Sequence, residues 1–216
     1  MLDGLARRLI DAPLTQLARL LARIGISADT LTLAGLAFGL AAAAAVAFSG
    51  MAAALMLLGL SRLCDGLDGA VARLTARSDF GGFLDIVCDF AFYGAVPLGF
   101  AALDPPRNAL PACALLLSFY INGASFLAYA AGAARRGMET QARGLKSIYF
   151  TAGLAEATET IAVFAAMMLF PAAFAALAYG FAALCLVTAV SRVWLARAHF
   201  GQASSPQNEG RAPRNG

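Results

Sequence analysis

The chain of 216 residues is 60% hydrophobic and only 13% charged, with a formal net charge of +3. Soluble globular proteins carry about a quarter charged residues, so this composition excludes an ordinary soluble domain. The small positive charge suits anionic membrane lipids rather than nucleic acid. Apolar windows of about 20 residues recur along the chain, which predicts an all-α integral membrane protein with one membrane domain over 1–200.

Residues 2–24 predict an amphipathic helix that precedes the membrane spans. Leucines recur at helical spacing on one side, and we expect this side to lie in the membrane interface. Pro13 is expected to bend the helix. Packing against a soluble partner is the alternative. The polar side carries Asp3, Arg7, Asp11, Thr15, Arg19 and Arg23.

Six membrane spans are predicted after this helix. Either Ser27 or Asp29 can cap the first span. The tail 201–216 is rich in Ser, Pro, Asn, Gly and Arg, which is typical of a disordered segment. The predicted spans cover 31–48, 51–73, 81–103, 109–133, 148–170 and 171–196.

Four carboxylates lie where the second span ends and the third begins. Asp65 and Asp68 are three residues apart, and Asp85 and Asp89 are four apart, so each pair shares one face of its helix. A turn between antiparallel helices would bring the two pairs together, and their mutual repulsion would then call for cations. Oxygen ligands of this kind suit Mg²⁺ or Mn²⁺, and two such ions can clamp a phosphate.

The complete pattern Asp65-x-x-Asp-Gly-x-x-Ala-Arg73, followed by Gly81, Asp85 and Asp89, resembles the signature of the CDP-alcohol phosphatidyltransferases. The resemblance implies a membrane enzyme of phospholipid synthesis. It would transfer the phosphatidyl group of CDP-diacylglycerol, or a similar CDP-lipid, to an alcohol hydroxyl and release CMP. A structural hairpin of ion pairs is the plain alternative, but Arg73 alone would not neutralise four acids.

The resemblance also implies roles for individual residues. Two Mg²⁺ or Mn²⁺ ions would be held by Asp65, Asp68 and Asp85, with Asp89 joining the second ion. Asp89 also matches the general base of the family. Relatives often carry Ser-Pro-Asn before the first span, where this chain has Ala28 and Asp29. The predicted nucleotide and CDP-lipid contacts are Asp29, Thr32, Asp68, Gly69, Ala72, Arg73, Ser78, Asp79 and Gly81.

The acceptor alcohol is left open by the sequence. Arg143, Lys146 and Arg192 favour an anionic acceptor such as glycerol 3-phosphate or inositol phosphate, although they could instead anchor lipid headgroups. Glu156 and Glu159 lie three residues apart within the fifth span, and they line the acceptor pocket or pair structurally. Serine or another neutral or amine alcohol is the alternative acceptor. A divalent-cation transporter is a rival class, but it would not need the glycines and Arg73 of the motif.

The orientation follows from the distribution of basic residues. With six spans, the N-terminal helix, the 74–80 and 134–147 loops and the tail share one side, while only Arg107 lies on the other. The positive-inside rule makes the first side cytoplasmic. We therefore expect a protein of the bacterial inner membrane with its active site facing the cytoplasm. The resemblance also implies a homodimer among membrane lipids.

Overall fold

A computed structural model of the chain describes residues 3–136 and 157–201. These two ranges form helices joined by short turns, without a strand, which confirms the all-α fold class. A 3₁₀ turn, Pro171–Ala173, precedes the last helix. The helices are α1 Asp3–Arg23, α2 Ala28–Ala47, α3 Met51–Leu74, α4 Asp79–Leu103, α5 Pro105–Arg135, α6 Ala157–Leu169 and α7 Phe174–Phe200.

Four of these helices are long and apolar enough to cross a membrane, judged by length and composition: α2, α4, α5 and the last helix with its preceding turn. Helix α3 is of similar length, but Arg62 lies at its middle, and Asp65, Asp68 and Arg73 lie in its C-terminal half. Only 157–170 of the predicted fifth span lies in the described residues, and it is helical over Ala157–Leu169. Six spans therefore remain a prediction, and the tail 202–216 lies outside the described residues.

Helix α1 folds back against the end of α3. Gly25 adopts φ +83° directly after α1, a left-handed conformation that glycine accepts without steric cost. Ser27 then caps α2 by accepting a hydrogen bond from the Thr30 backbone N–H at 3.2 Å. Ala18 of α1 is fully buried against α3. The helix predicted over 2–24 thus forms over Asp3–Arg23, and its place in the membrane interface remains a prediction.

Small residues let α2 lie close to both α3 and α4. A Cβ atom added at Gly35 would lie 3.3 Å from the Ser61 carbonyl oxygen of α3. One added at Gly39 would lie 2.5 Å from Phe92 Cδ2 of α4. The small-residue face of α2 therefore permits close helix packing, as such faces do in membrane proteins. This packing brings the N-terminal turns of α2 and α4 and the C-terminal half of α3 to one end of the bundle.

An aromatic core joins the remaining helices. Phe92 and Phe164 are fully buried and meet edge to face, with ring centroids 5.8 Å apart. Phe119 of α5 packs in the same way against Phe164 and against Phe181 of α7. The outer surface is also apolar, with Leu110, Met56 and Trp194 among the exposed side chains. Exposed apolar residues over the length of such helices are expected where the solvent is lipid.

Candidate active site

Three carboxylates converge where α3 and α4 face each other. Asp65 and Asp68 come from the last three turns of α3, and Asp85 comes from the second turn of α4. One oxygen of each carboxylate lies within 4.8 Å of the others. The spacing of three residues on α3 places its two acids on one face, and the packing on α4 brings the third acid to them. We call these residues the three-aspartate cluster.

Asp68 is the most enclosed member of the three-aspartate cluster, with only 8% of the residue exposed. Thr32 Oγ1 of α2 donates a hydrogen bond to Asp68 Oδ2 at 2.6 Å. In the described part of the chain, neither Asp68 nor Asp85 forms an ion pair with a basic side chain. A buried carboxylate that lacks a cationic partner is costly, so the cluster is a place where a bound cation would be stabilising.

Asp89 is not part of the three-aspartate cluster, and its carboxylate is paired with Arg62. Arg62 Nη1 lies 3.3 Å from Asp89 Oδ1 and 3.4 Å from Asp65 Oδ1. Arg62 is not among the predicted site residues, although its position three residues before Asp65 puts both side chains on one face of α3. The fourth acid of the motif is therefore held by a residue outside the motif.

A small cavity lies between the acids. It has a volume of about 10 Å³ and is enclosed by α2, α3 and α4, which is room for roughly one water molecule. Its lining residues are Thr32, Gly35, Leu36, Arg62, Asp65, Asp68, Asp85, Cys88 and Asp89. A site of this size suits a single ion rather than an organic group.

A larger cleft of about 270 Å³ opens beside the three-aspartate cluster. Its volume is just below the usual range for small-molecule sites, about 300–1,000 Å³. Asp68 and Asp85 line both the cleft and the small cavity, so the two spaces share a wall. The lining residues are Ala28, Asp29, Thr32, Asp68, Gly69, Ala72, Arg73, Ala76, Arg77, Ser78, Gly81, Gly82 and Asp85.

The starts of α2 and α4 form one wall of this cleft. Ser78 caps α4 by accepting a hydrogen bond from the Gly81 N–H at 2.9 Å. A Cβ atom at Gly81 would lie 3.1 Å from Ser78 Oγ and 3.2 Å from Asp29 Oδ1. A side chain at position 81 would therefore crowd both neighbours. Two helix N-termini that face one cleft are favourable for an anionic group, because the aligned peptide dipoles place partial positive charge at each of them.

The structure brings most predicted nucleotide contacts to the cleft. Asp79 is the exception, since it is exposed at the start of α4 and does not line the cleft.

Two of the predicted acceptor residues lie in the described part of the chain. Glu159 lies in the first turn of α6, and its Oε2 is buried without a hydrogen-bond partner among the described residues. Arg192 Nη1 donates hydrogen bonds to Asn122 Oδ1 at 2.9 Å and to Ser125 Oγ at 2.6 Å. Arg143, Lys146 and Glu156 lie outside the described residues.

The residues of the three-aspartate cluster fit a divalent metal ion. The donor set consists of carboxylate oxygens, which Mg²⁺ and Mn²⁺ prefer. The observation that tests the fit is the convergence of three acids within 4.8 Å, two of them without an ion-pair partner in the described residues. Asp65, Asp68 and Asp85 are the residues that would hold the ion.

A model of the CDP-alcohol phosphatidyltransferase family matches residues 26–200 of the chain. The chain is 46% identical over 194 residues to inner membrane protein YnjF of Escherichia coli, covering 90% of this chain and 94% of that protein. It is also 33% identical over 93 residues to archaetidylinositol phosphate synthase of Pyrococcus horikoshii, covering 43% of this chain and 50% of that protein.

Solved structures share the fold. The chain superposes on phosphatidylinositol phosphate synthase (PgsA1) of Mycobacterium tuberculosis with bound CDP-DAG, with a TM-score of 0.69 and 22% sequence identity. The match covers 93% of this chain and 98% of that one. A second structure of the same enzyme, in complex with manganese and citrate, gives a TM-score of 0.68 at 22% identity and covers 93% of each chain.

Proposed function

The chain belongs to the CDP-alcohol phosphatidyltransferase family, and on that premise we propose that it transfers the phosphatidyl group of CDP-diacylglycerol, or a similar CDP-lipid, to the hydroxyl of a small alcohol. CMP is the second product. The observation that carries this proposal is that Asp68 and Asp85, two members of the three-aspartate cluster, also line the cleft. The diphosphate of a nucleotide bound in the cleft would therefore lie directly beside Asp68 and Asp85.

The cleft supports binding of the CDP part of the donor. Gly69 lacks a side chain, and a Cβ atom there would meet only Arg73 Nη1 at 3.5 Å, so the nucleotide can approach α3 closely. Ala72 keeps the next turn small. Arg73 is exposed at the cleft, where a guanidinium can bind phosphate oxygens through two hydrogen bonds. The partial positive charge at the starts of α2 and α4 adds further attraction for the diphosphate.

Asp65, Asp68 and Asp85 would hold Mg²⁺ or Mn²⁺. When bound, such an ion supplies a positive charge that stabilises negative charge on the diphosphate oxygens. Thr32 orients Asp68 through its hydrogen bond. The second ion of the sequence-based prediction would need Asp89, whose carboxylate is paired with Arg62.

Asp89 is proposed as the general base. The acceptor oxygen attacks the phosphorus attached to the lipid, and the bond from that phosphorus to the CMP oxygen breaks. CMP leaves with the electron pair, and the hydroxyl proton passes to the Asp89 carboxylate. Arg62 positions this carboxylate, with Nη1 at 3.3 Å from Asp89 Oδ1.

The acceptor is proposed to be anionic, with inositol phosphate or glycerol 3-phosphate as first candidates. Archaetidylinositol phosphate synthase and PgsA1, which the chain resembles, are both named as synthases of inositol phosphate lipids. Basic groups for an anionic acceptor would come from Arg143, Lys146 and Arg192. Serine or another amine alcohol is the second candidate, and Glu156 and Glu159 would bind its amino group. Glu159 Oε2 supports this candidate, because it is buried without a hydrogen-bond partner among the described residues. A cation transporter is disfavoured because the acids lie at a bundle end beside a nucleotide-sized cleft.

We further propose that the protein lies in the bacterial inner membrane with its cleft facing the cytoplasm. Its relative in E. coli is an inner membrane protein. Arg73 and Arg77 lie at the cleft end of the bundle, while Arg107 lies at the opposite end, beside the turn between α4 and α5. The positive-inside rule then makes the cleft end cytoplasmic. We also propose, from the family resemblance, that the protein forms a homodimer.

The deciding experiment measures CMP release from CDP-diacylglycerol by the purified protein, with Mg²⁺ or Mn²⁺ and a panel of acceptors. We expect release that depends on one acceptor and disappears with a chelator. Asp65→Asn and Asp85→Asn should abolish release, because each removes charge from the three-aspartate cluster. Full activity in either variant would contradict the proposed metal site. Release with no acceptor dependence would contradict the proposed transfer.

A further inference from the structure

Arg192 of α7 is hydrogen-bonded to α5 through one terminal nitrogen of its guanidinium. Arg192 Nη1 donates to the Asn122 carbonyl oxygen at 3.0 Å, to Asn122 Oδ1 at 2.9 Å and to Ser125 Oγ at 2.6 Å. Arg192 Cζ also lies 5.6 Å from the centre of the Phe126 ring, a cation–π distance. The guanidinium is therefore fixed on one side by little more than one turn of α5.

The groups of α5 that accept these hydrogen bonds are neutral. Ser125 Oγ donates its only proton to the Asn122 carbonyl oxygen at 2.7 Å, so it must accept in its bond with Arg192. The other acceptors are the side-chain amide oxygen and the backbone carbonyl oxygen of Asn122. These contacts direct the guanidinium without neutralising its positive charge.

The contacts hold Arg192 near the depth of Asp89 in the bundle. A Cβ atom added at Gly123, the residue after Asn122, would clash with the ring of Phe90. Phe90 directly follows Asp89 on α4. Because neighbouring residues of a helix differ by only about 1.5 Å in height, Asn122 and Asp89 lie within about one helical turn of the same level. An anionic group bound at Arg192 would therefore lie near the level of the proposed base, to which the acceptor hydroxyl must come.

A second contact joins the same two helices. Tyr129 and His199 each lie seven residues, or about two turns, beyond Asn122 and Arg192. Tyr129 Oη lies 2.8 Å from His199 Nδ1, within hydrogen-bond distance. The two helices therefore keep one register over these turns. Since the contact between Tyr129 and His199 does not involve Arg192, it supplies a matched control.

We propose that Asn122 and Ser125 are positioning residues of the acceptor site, which direct the Arg192 guanidinium towards the anionic group of the acceptor alcohol. This inference rests on the anionic acceptor of the proposed function. Neutral side chains suit the task, because a carboxylate at either position would compete with the acceptor phosphate for the same positive charge. Asn122 and Ser125 thus raise the affinity for the acceptor through Arg192.

The test measures CMP release by the purified full-length protein in detergent, at saturating CDP-diacylglycerol, with inositol phosphate and glycerol 3-phosphate as acceptors. Asn122→Leu and Ser125→Ala should each raise the acceptor KM about three- to tenfold, the effect of losing one ordinary hydrogen bond. The kcat and the KM of the CDP-lipid should change little. Ser125→Thr keeps the hydroxyl and should restore the acceptor KM of the unaltered protein.

A double variant shows whether the two residues act through Arg192. In the Arg192→Ala background, Asn122→Leu should cause no further rise in the acceptor KM, because the group that it positions is already gone.

Asn122→Asp gives an independent reading. The carboxylate keeps the shape of the side chain and accepts the same hydrogen bond more strongly, so the Tm should not fall. Its negative charge should nevertheless raise the KM of the anionic acceptor. A residue that serves only helix packing would not show this combination.

Tyr129→Phe is the matched control, since it removes a hydrogen bond between the same two helices while Asn122 and Ser125 stay in place. Its acceptor KM should equal that of the unaltered protein, whatever the change in Tm. A rise as large as that of Asn122→Leu would overturn the inference, because it would assign the effect to helix packing.

The outcomes separate this inference from the proposed function. If Arg192→Ala raises the acceptor KM but neither Asn122→Leu nor Ser125→Ala does, the inference is overturned and the anionic acceptor stands. An undiminished effect of Asn122→Leu in the Arg192→Ala background, or an unchanged KM in Asn122→Asp, would overturn it as well. No release with either acceptor, or an unchanged KM in Arg192→Ala, would overturn the proposed role of Arg192 together with the inference.

Discussion

Thr32 Oγ1 on α2 donates a 2.6 Å hydrogen bond to Asp68 Oδ2 on α3, and this bond joins the wall of the cleft to the three-aspartate cluster. Thr32 Oγ1 also lies 3.1 Å from the Ala28 carbonyl oxygen, which fixes its rotamer on the first turns of α2. Asp68 is thereby held towards Asp65 and Asp85 by a residue that is 36 positions away in the chain.

The first prediction concerns this hydrogen bond. Thr32→Val removes the hydroxyl at nearly constant volume and should lower the affinity for Mn²⁺ by about 10–100-fold, the usual effect of losing a group that orients a metal ligand. Thr32→Ser keeps the hydroxyl and should stay close to the unaltered protein. The measurement is a Mn²⁺ titration of each variant. Equal affinity in Thr32→Val would show that the bond does not support metal binding.

The second prediction concerns the glycine in the floor of the cleft. Gly69→Ala adds a methyl group at the surface where the nucleotide is proposed to bind, and overpacking of this kind typically costs about 1–3 kcal/mol. The KM for the CDP-lipid should therefore rise about tenfold or more. The fold should not suffer, because replacing glycine by alanine within a helix stabilises it by about 0.5–1 kcal/mol.

Gly59→Ala is the control for this experiment. Gly59 lies on the same helix, and an added Cβ atom there would have nothing within 4 Å. Both variants should keep or raise the Tm, while only Gly69→Ala should change the KM. An unchanged KM in Gly69→Ala would contradict a close approach of the nucleotide to α3 at Gly69.

The third prediction concerns the proposed base. Asp89→Asn keeps the shape of the side chain but removes its basicity, so transfer should fall by about 10²–10⁴-fold, while binding of the CDP-lipid survives. Donor affinity and transfer rate should be measured in the same preparation. Asp104→Asn serves as the control, because it changes an acid at the far end of the bundle and asparagine also caps helices. If donor affinity falls with the rate, Asp89 acts chiefly in donor or metal binding.

The fourth prediction concerns the acceptor. Arg192→Ala should raise the KM of an anionic acceptor about tenfold or more, since a charge-assisted hydrogen bond is worth about 1.5–3 kcal/mol. The KM of the CDP-lipid should change little. Arg197→Ala is the control on the same helix, where Arg197 is exposed. Arg192 also bonds Asn122 and Ser125, so the Tm of each variant should be recorded.

Arg143→Ala and Lys146→Ala should have the same effect on the acceptor KM. If none of the three variants changes it, the basic acceptor pocket is wrong. The next variants would then be Glu156→Gln and Glu159→Gln, assayed with serine and other amine alcohols.

The fifth prediction concerns orientation. A reporter fused after Gly216 should lie in the cytoplasm, and one inserted at Pro106 should lie outside, because basic residues favour the cytoplasmic side. Each fusion site should be tested with two reporters, one active only in the cytoplasm and one active only outside it. The two signals at one site should be opposite, so each reporter serves as the control for the other. Opposite results would refute the six-span arrangement and the cytoplasmic active site.

Features that depend on spacing within one helix could be predicted from the amino-acid sequence. The apolar windows predicted the membrane helices, and α2, α4, α5 and α7 follow them closely, because burial of about 20 apolar residues in lipid depends on composition and length. The spacing of Asp65 and Asp68 likewise fixed their common face, since the helical period is constant. The motif in turn predicted the family.

Contacts between side chains of different helices became known from the packing of the helices. Thr32 donates a hydrogen bond to Asp68, and Arg62 pairs with Asp89. Neither contact follows from spacing, because each depends on how closely α2 and α4 approach α3. That approach is set by small residues such as Gly35 and Gly39, whose missing side chains let neighbouring helices come within contact distance. The pairing of Arg62 with Asp89 could not be predicted for the same reason. The two residues lie on different helices, and their distance depends on how α3 and α4 pack.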